Sequence, residues 1–329
     1  MRYRQFGKTD LRVSETGFGA WAIGGGAMIG NTAIGWGEVD DALSKKAIYT
    51  ALDQGINFFD TADIYGLGHS EEILGATLKG RQDVIIASKV GNVARDGQFT
   101  TDYSPDYMVQ ACEESLRRLQ RETIDYYQLH TARIKDLESG AVIGVMDKLK
   151  QQGKIRYWGI SLNTFEPHTE ADYLMNLNKG DGFQLVFNLI NQKALSLIEA
   201  ASKKGYGVIA RMPLQFGLLT GKFDTGVEFA DNDHRKGRLT PEVVEASNTY
   251  LRPVWDLCAK YNCTKTELAM SFILSHKEIS TVIPGIRTPE QAIQNTTGLF
   301  QLTLEELDQI HQLGTTGFRT LMELIRKQG

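Results

Sequence analysis

The sequence has little of what marks a secreted, metal-binding or membrane-spanning protein. Its 329 residues include only three cysteines and six histidines. The cysteines (Cys112, Cys258 and Cys263) show neither metal-binding nor redox spacing, and the histidines form no ligand pair. No run approaches the roughly 20 apolar residues that cross a bilayer, and the N-terminus lacks the apolar segment of a signal peptide. We therefore expect a reduced, cytoplasmic protein without a bound metal.

The chain also lacks a large excess of charge of either sign. It has 36 Lys and Arg residues against 40 Asp and Glu residues, a formal net charge of −4. This balance argues against a dedicated nucleic-acid or membrane-surface binder and favours a small-molecule partner; it leaves the oligomeric state open. With 42% hydrophobic residues the chain can bury a large core. We found no internal repeat or linker, so we expect residues 1–329 to form one domain.

Short apolar runs alternate with amphipathic segments along the chain. The runs are nearly continuously apolar, as expected for parallel strands covered on both faces. Helix signals lie between them, including a capping box at Thr264 and Glu267, an N-cap at Thr288, and helix starts assigned to Ser44 and Ser104. This alternation predicts an α/β fold, a (β/α)₈ TIM barrel. The predicted strands are 16–20, 57–60, 84–88, 126–130, 156–161, 184–188, 207–211 and 280–284.

A doubly wound nucleotide-binding sheet is the competing architecture. Its glycine fingerprint, G-x-G-x-x-G, is incomplete here, because Gly17 and Gly19 are followed by Ala22 where the third glycine is needed. The barrel is therefore favoured. Two loops, 21–43 and 213–244, are longer than a barrel needs, and both leave the carboxyl-end face where barrel active sites lie. A helical segment from Leu302 onward could fold across the same mouth.

Four polar residues at neighbouring strand ends suggest an active site. Asp60, Tyr65, Lys89 and His130 follow or end predicted strands two, three and four, so the barrel brings them to one rim. A lysine ammonium beside Tyr65 would lower the pKa of the phenol, Asp60 would pair with the lysine, and His130 would donate to a substrate oxygen. This set suits proton transfer to a carbonyl oxygen. Reduction of the carbonyl also needs a hydride, which no side chain can deliver, so a cofactor must supply it. The alternative is an aldolase that uses Lys89 as a Schiff-base nucleophile.

Several segments resemble the aldo-keto reductase family. Residues 55–66 (GINFFDTADIYG) are similar to its most specific signature, and 88–90 (SKV) and 125–130 (DYYQLH) match its lysine and histidine segments. Residues 159–161 (GIS), 217–222 (GLLTGK) and 283–287 (IPGIR) resemble its cofactor-binding segments. The resemblance extends from residue 4 to at least residue 295.

The resemblance implies a barrel that binds NADP(H), with NAD(H) as the alternative, and reduces aldehydes or ketones. It makes Tyr65 the general acid, assisted by Asp60 and Lys89, with His130 orienting the carbonyl group. Arg287 would meet the 2′-phosphate of NADP(H). The implied cofactor-binding residues are Ser161, Asn163, Gln184, Arg211, Leu214, Gly217, Leu218, Gly221, Lys222, Gly285, Arg287, Gln291 and Asn295. The candidate substrate-pocket residues are Trp21, Ile64, Arg133 and Phe216.

Some positions depart from the family pattern. Leu162 separates Ser161 from Asn163, which many relatives have side by side, and Arg211 stands where many have an aromatic residue. Two other functions remain open at this point. One is an NAD(P)-dependent sugar or polyol dehydrogenase that works in the oxidative direction, and the other is a non-enzymatic nucleotide-sensing subunit.

Overall fold

Eight parallel strands surround the centre of the protein. The computed structural model describes residues 1–30, 32–223, 228–231 and 233–328. The central sheet has the strand order β8-β7-β6-β5-β4-β3-β2-β1, so each strand pairs with its sequence neighbour. Its strands are β1 (Phe18–Gly19), β2 (Phe58–Asp60), β3 (Ile85–Val90), β4 (Ile124–His130), β5 (Ile155–Ser161), β6 (Gly182–Val186), β7 (Gly207–Arg211) and β8 (Thr281–Ile283).

The first and last strands close the sheet into a barrel. Thr16 pairs with Val282 and Gly19 with Gly285, both in parallel orientation. Gly17 N donates to Val282 O at 2.8 Å, and Gly19 N donates to the carbonyl oxygen of Pro284 at 2.9 Å. A side chain on Gly19 would collide with the Pro284 carbonyl, so glycine permits this approach. The predicted (β/α)₈ barrel is confirmed.

Helices surround the barrel and continue past its last strand. They are α1 (Asp41–Asp53), α2 (His69–Thr77), α3 (Pro105–Leu119), α4 (Ile134–Leu137), α5 (Ala141–Gln151), α6 (His168–Leu177), α7 (Leu195–Lys203), α8 (Pro241–Tyr250), α9 (Arg252–Tyr261), α10 (Lys265–Leu274), α11 (Pro289–Gln294), α12 (Leu304–Thr315) and α13 (Gly317–Arg326). The predicted C-terminal helical segment is thus confirmed as α12 and α13.

The helix starts follow their capping residues with one exception. Thr264 and Glu267 form the predicted capping box of α10, and the Thr288 side chain caps α11. Helix α3 begins after Ser104, as predicted, although the serine side chain makes no cap hydrogen bond. The assignment of Ser44 was wrong: α1 is capped by Asp40, whose carboxylate accepts from the backbone of Ala42 and Leu43. Aspartate caps helices as well as serine does, so residue type alone could not decide between Asp40 and Ser44.

A hairpin seals the amino-terminal end of the barrel. It pairs Tyr3–Gln5 with Arg12–Ser14. Its Phe6 ring is fully buried and packs against Phe58 and Tyr126. Side chains at Gly182 and Gly207 would collide with this ring. Phe6 therefore fills this end of the barrel.

Short hairpins and 3₁₀ turns lie on the opposite face of the barrel, at the carboxyl ends of the strands. Hairpins occur at Met28–Ile29 with Thr32–Ala33 and at Asn92–Arg95 with Gln98–Thr101. Single 3₁₀ turns lie at Ala20–Gly24, Tyr65–Gly68 and Gln215–Thr220. Both predicted long loops lie on this face. Residue 31 of the first loop and residues 224–227 and 232 of the second lie outside the described residues.

Candidate active site

The barrel brings the four predicted catalytic residues together. Asp60 ends β2, Lys89 is in β3, and His130 ends β4; Tyr65 begins the 3₁₀ turn after β2. Lys89 Nζ lies 2.6 Å from Asp60 Oδ1 and 3.3 Å from Tyr65 Oη. The Tyr65 and His130 rings meet edge to face, with centroids 5.8 Å apart. The convergence predicted from strand order is thus present in the structure.

Lys89 and Asp60 form a fully enclosed ion pair. The lysine side chain is 0% exposed and the aspartate side chain 3%. Lys89 Nζ also donates to Thr61 O at 2.7 Å. The second Asp60 oxygen accepts from Gln128 Nε2 at 3.0 Å and from Gln184 Nε2 at 2.7 Å. Both charges therefore have the hydrogen bonds that a buried pair requires.

This pairing determines the protonation state of Lys89. Burial lowers the pKa of Lys89, but the carboxylate of Asp60 and its hydrogen bond outweigh burial, and the net pKa is raised above the ordinary value. The lysine stays an ammonium at neutral pH. Because only a neutral amine attacks a carbonyl carbon, the raised pKa argues against the aldolase alternative.

The direction predicted for the Tyr65 pKa was wrong. Burial is the largest influence and raises the pKa of Tyr65 above its ordinary value, although Lys89 acts to lower it. The ring is enclosed in the barrel mouth, so removal of water disfavours the phenolate more than one ammonium favours it. The phenol therefore carries its proton throughout the neutral range. This is the state that a proton donor needs.

His130 is neutral for a related reason. Burial, followed by the positive charges of Lys89 and Arg211, lowers the pKa of His130 well below its ordinary value. Its Nδ1 atom is buried and accepts or donates no hydrogen bond within the described residues. A neutral imidazole carries one N–H group, which can donate to a substrate oxygen without competing with Tyr65 as an acid.

Two glycines allow Tyr65 to approach the loop after β1. A side chain on Gly66, which has φ 60°, would collide with the carbonyl oxygen of Gly24. A side chain on Gly24 would in turn approach Tyr65 C to 2.9 Å. The Trp21 ring then stacks on the Tyr65 ring with centroids 5.7 Å apart. The position of the phenol thus depends on backbone contact between the two turns.

A cavity of about 630 Å³ opens from these residues toward the loops. Its volume lies within the ordinary range of small-molecule sites, about 300–1,000 Å³. The cavity contains most of the residues proposed for cofactor and substrate. The predicted residues that line it are Trp21, Asp60, Ile64, Tyr65, His130, Ser161, Gln184, Arg211, Leu214, Phe216, Gly217, Lys222, Gly285, Arg287 and Gln291.

Six predicted site residues do not line this cavity, and one of them is Lys89, which is fully buried. Asn163 Oδ1 instead accepts from the backbone of Phe165 and Glu166 and stabilises the loop after β5. Exposed Arg133 lies at the start of α4, where its backbone N–H donates to Asp136. The remaining three residues are Leu218, which packs in the hydrophobic core, Gly221, which lies against Lys265, and Asn295, which is buried.

Some residues of the cavity already have partners that the sequence could not indicate. Gln184 donates one amide N–H to Asp60, which leaves its oxygen and its second N–H for a ligand. Arg287 Nη1 donates to Trp36 O at 3.2 Å and Nη2 donates to Glu38 O at 2.7 Å. Backbone carbonyls do not neutralise a guanidinium. Arg287 therefore anchors the first long loop and keeps its positive charge.

Sequence reasoning missed the residues by which the two long loops meet. Trp36 and Asp233 form an isolated antiparallel β-bridge, and His234 N donates to Gly35 O at 3.3 Å. The His234 ring stacks on Trp21 at 4.6 Å and contacts Trp36 edge-on at 4.5 Å. The only available signal was the aromatic content of the loops. Sequence distance hid the pairing, because the loops are about two hundred residues apart.

Backbone conformation at the rim is unusual. Thr131, Met212, Gln215 and Phe216 all have positive φ values. Side chains rarely adopt this conformation, and such residues concentrate at functional sites, where surrounding structure holds them in place. All four follow the carboxyl ends of β4 or β7.

The residues present fit a nicotinamide dinucleotide. At the catalytic end, Ser161 Oγ and Gln184 Oε1 can hydrogen-bond an amide. At the other end, Lys222 and Arg287 supply positive charge for phosphate. Between them, buried Arg211 Nε lacks a hydrogen-bond partner among the described residues. Polar groups without partners in a cavity are typical of a site built for a ligand.

Comparison with known proteins identifies the class. The model of the aldo/keto reductase family matches residues 15–315. The chain therefore belongs to the aldo/keto reductase family. It is an oxidoreductase that acts on carbonyl compounds with a nicotinamide cofactor.

Individual relatives agree over nearly the whole length. The chain is 32% identical to "Uncharacterized oxidoreductase YqkF" of Bacillus subtilis over 93% of this chain and 94% of that protein. It is 28% identical to the NADH-specific methylglyoxal reductase of Escherichia coli, over 94% and 96% respectively. Among solved structures, glycerol dehydrogenase AKR11B4 from Gluconobacter oxydans is similar with a TM-score of 0.78 and 29% identity, covering 94% of each chain.

The described residues offer neither a membrane-spanning helix nor a metal-binding cluster. No helix there is both long and apolar enough to cross a membrane. No group of three or more His, Cys, Asp or Glu side chains in that part of the chain is arranged to hold a metal ion.

Proposed function

We propose that this protein reduces aldehydes or ketones to alcohols with NADPH, and that Tyr65 is the general acid. The observation that carries the proposal is the 3.3 Å contact between Tyr65 Oη and the buried ammonium of Lys89, which is itself paired with Asp60. When bound, the dihydronicotinamide supplies a hydride to the carbonyl carbon. The side chains of this protein carry out the remaining steps.

Tyr65 Oη transfers its proton to the carbonyl oxygen as negative charge develops there. The tyrosinate that remains is stabilised by the hydrogen bond from Lys89 Nζ, whose own charge Asp60 maintains. Neutral His130 donates its N–H to the same carbonyl oxygen and orients it. Trp21, stacked on the Tyr65 ring, excludes water from one side of the phenol. We assign Ile64 and Phe216, which also line the cavity, to the substrate pocket.

For the cofactor, Ser161 and the oxygen of Gln184 would hold the carboxamide. Leu214, Gly217 and Lys222 would line the pyrophosphate, and Gly285, Arg287 and Gln291 would surround the adenosine end. The charge of the lining favours NADPH over NADH. Lys222 and Arg287 line the cavity, and among its described lining residues Asp60, at the catalytic end, is the only carboxylate. In doubly wound dinucleotide-binding sheets, a carboxylate on the ribose 2′-hydroxyl marks NAD sites and an arginine accommodates the 2′-phosphate of NADP, and the same charge argument applies here.

The raised pKa of Tyr65 also favours reduction over polyol oxidation near neutral pH. Alcohol oxidation needs the phenolate as a base, and burial makes that form scarce. The oxidative alternative is therefore expected only under alkaline conditions. The nucleotide-sensing alternative has no such support, because a sensor does not need a proton donor held against an ammonium.

The test is a turnover screen that follows absorbance at 340 nm with a panel of aldehydes, ketones and polyols and with both cofactors. We expect carbonyl-dependent oxidation of NADPH at pH 7, with a higher kcat/KM for NADPH than for NADH. Absence of turnover across the panel would contradict the proposed activity. A preference for NADH with retained turnover would contradict only the assignment of the cofactor.

A further inference from the structure

A second, smaller cavity adjoins the main one. Its volume is about 270 Å³. It is enclosed by the loop after β5, the loop after β7 and Ile325 of α13. It shares a wall with the main cavity, formed by Trp21, Arg211, Met212, Phe216 and Arg238. The predicted C-terminal segment thus contributes to the covering of this pocket.

The walls of this second cavity carry positive charge and no negative charge. Arg211 and Arg238 both line it, and no Asp or Glu is among its described lining residues. Neither guanidinium has a carboxylate oxygen within 4.0 Å among the described residues. Arg235, three residues before Arg238 in the chain, is by contrast paired with Asp233.

Each arginine is held in place but only partly hydrogen-bonded. Arg211 Nη2 donates to Leu162 O at 3.0 Å and to Thr164 Oγ1 at 3.2 Å, whereas Arg211 Nε has no partner in the described part of the chain. Arg238 Nη1 donates to His234 O at 3.1 Å and lies 2.9 Å from His234 Nδ1. Both heads are therefore positioned and keep N–H groups available for a ligand.

Burial makes these charges costly unless an anion joins them. Removal of water lowers the pKa of both Arg211 and Arg238. A guanidinium nevertheless remains charged at neutral pH, so two like charges share one enclosed space. Trp21 and Phe216 form apolar walls beside them and limit screening by water. An anion bound there would compensate both charges and could accept two parallel hydrogen bonds from a guanidinium.

The position of the pocket relates it to the reacting carbonyl. Trp21 lines the pocket and stacks on Tyr65, the proposed acid. Arg211 ends β7, and its charge acts on Tyr65 and on His130. A short molecule whose carbonyl oxygen meets Tyr65 can therefore extend a charged end past Trp21 toward the two arginines.

We propose that the second cavity is a subsite for an anionic group, a carboxylate or a phosphate, carried by a short-chain carbonyl substrate and held between Arg211 and Arg238; this inference rests on the proposed function. The preferred substrates are then keto acids, semialdehydes with a terminal carboxylate, or phosphorylated aldehydes. Neutral aldehydes of the same length react through the same Tyr65 but leave both arginines uncompensated.

The test compares matched substrates in the wild-type protein and in R238Q. One pair is butyraldehyde and succinic semialdehyde; the other is glyceraldehyde and glyceraldehyde 3-phosphate. We expect wild type to prefer the anionic member of at least one pair by about 10-fold or more in kcat/KM. R238Q should lose about 10–100-fold on that member, the range expected for one charged hydrogen bond, and change the neutral member little. The pair that responds distinguishes carboxylate from phosphate.

Two further variants serve as controls. R238K keeps the positive charge but lacks the planar guanidinium group, and it should recover part of the preference for the anionic substrate. R252Q removes an exposed arginine at the start of α9 and should leave the preference unchanged. NADPH affinity, measured by fluorescence titration, should be the same in R238Q and wild type. This readout also shows whether the variant is folded.

The outcomes separate the two proposals. If neutral aldehydes are reduced but wild type shows no preference for either anionic partner, the subsite is refuted and the reductase activity stands. If R238Q weakens NADPH binding and leaves substrate preference intact, Arg238 contacts the cofactor instead and the subsite is equally refuted. If no carbonyl compound is reduced at all, the proposed function itself fails.

Discussion

The Lys89–Asp60 pair offers a quantitative test of how the site is held together. Substituting Lys89→Met removes an ammonium that is 0% exposed and bonded to Asp60, Thr61 and Tyr65. Loss of one member of a buried pair costs about 3–5 kcal/mol in unfolding free energy. Asp60 keeps two amide donors, from Gln128 and Gln184, so we expect a loss near 3 kcal/mol.

The reciprocal change and the double change complete the comparison. Asp60→Asn keeps one acceptor for the lysine but leaves the buried ammonium without a counter-charge, and we expect a loss of about 3 kcal/mol. The double variant leaves no unpaired charge and should lose only about 2 kcal/mol. The coupling free energy is then about 4 kcal/mol, which is large even for residues in direct contact.

Urea denaturation followed by tryptophan fluorescence gives these free energies for wild type and all three variants. The activity of the double variant should remain as low as that of Lys89→Met, because stability returns without the ammonium that supports the tyrosinate. Additive free energies would refute the pairing as an energetic unit. Recovery of activity in the double variant would refute the catalytic role of Lys89.

Three other predictions follow from the same geometry. Because burial raises the pKa of Tyr65, the kcat for reduction should be constant from about pH 6 to pH 9, whereas the kcat for alcohol oxidation should rise with pH. A reductive kcat that decreases as the pH rises from about 6 to 8 would contradict this. Gly66→Ala should reduce kcat at least 10-fold, since its new side chain meets the Gly24 carbonyl and displaces Tyr65, and a variant with wild-type kcat would disprove that dependence. Burial lowers the pKa of His234 to about 3, so on acidification the unfolded chain binds a proton at this histidine before the folded protein does. The free energy of unfolding of wild type relative to that of His234→Phe should therefore fall by about 2 kcal/mol between pH 7.5 and pH 5. An unchanged difference in urea denaturation would contradict the low pKa.

The sequence could predict whatever depends on contiguous segments. Strand boundaries follow from local apolar runs, and a barrel places consecutive strand ends on one rim. Asp60, Tyr65, Lys89 and His130 therefore meet as expected. The cap of α10 follows from residues only three positions apart.

What the sequence could not supply depends on burial and on contacts between distant residues. The net direction of the Tyr65 pKa depends on how completely the loops enclose the phenol, a quantity that no local motif encodes. Gln184 donates to Asp60 from a strand 124 positions away, which changes what it can offer a ligand. Likewise, the second cavity requires α13 to return over the loops after β5 and β7, and its two arginines are ordinary charged residues when read along the chain.

The central claim is that the buried phenol of Tyr65 donates the proton that accompanies hydride transfer. Single-turnover oxidation of bound NADPH, measured by rapid mixing with a saturating aldehyde, tests it in Tyr65→Phe, with Tyr49→Phe at an exposed tyrosine as the control. We predict a rate lower by about 100–10,000-fold in Tyr65→Phe, with NADPH affinity unchanged and the control equal to wild type. A wild-type rate of hydride transfer in Tyr65→Phe would contradict the account.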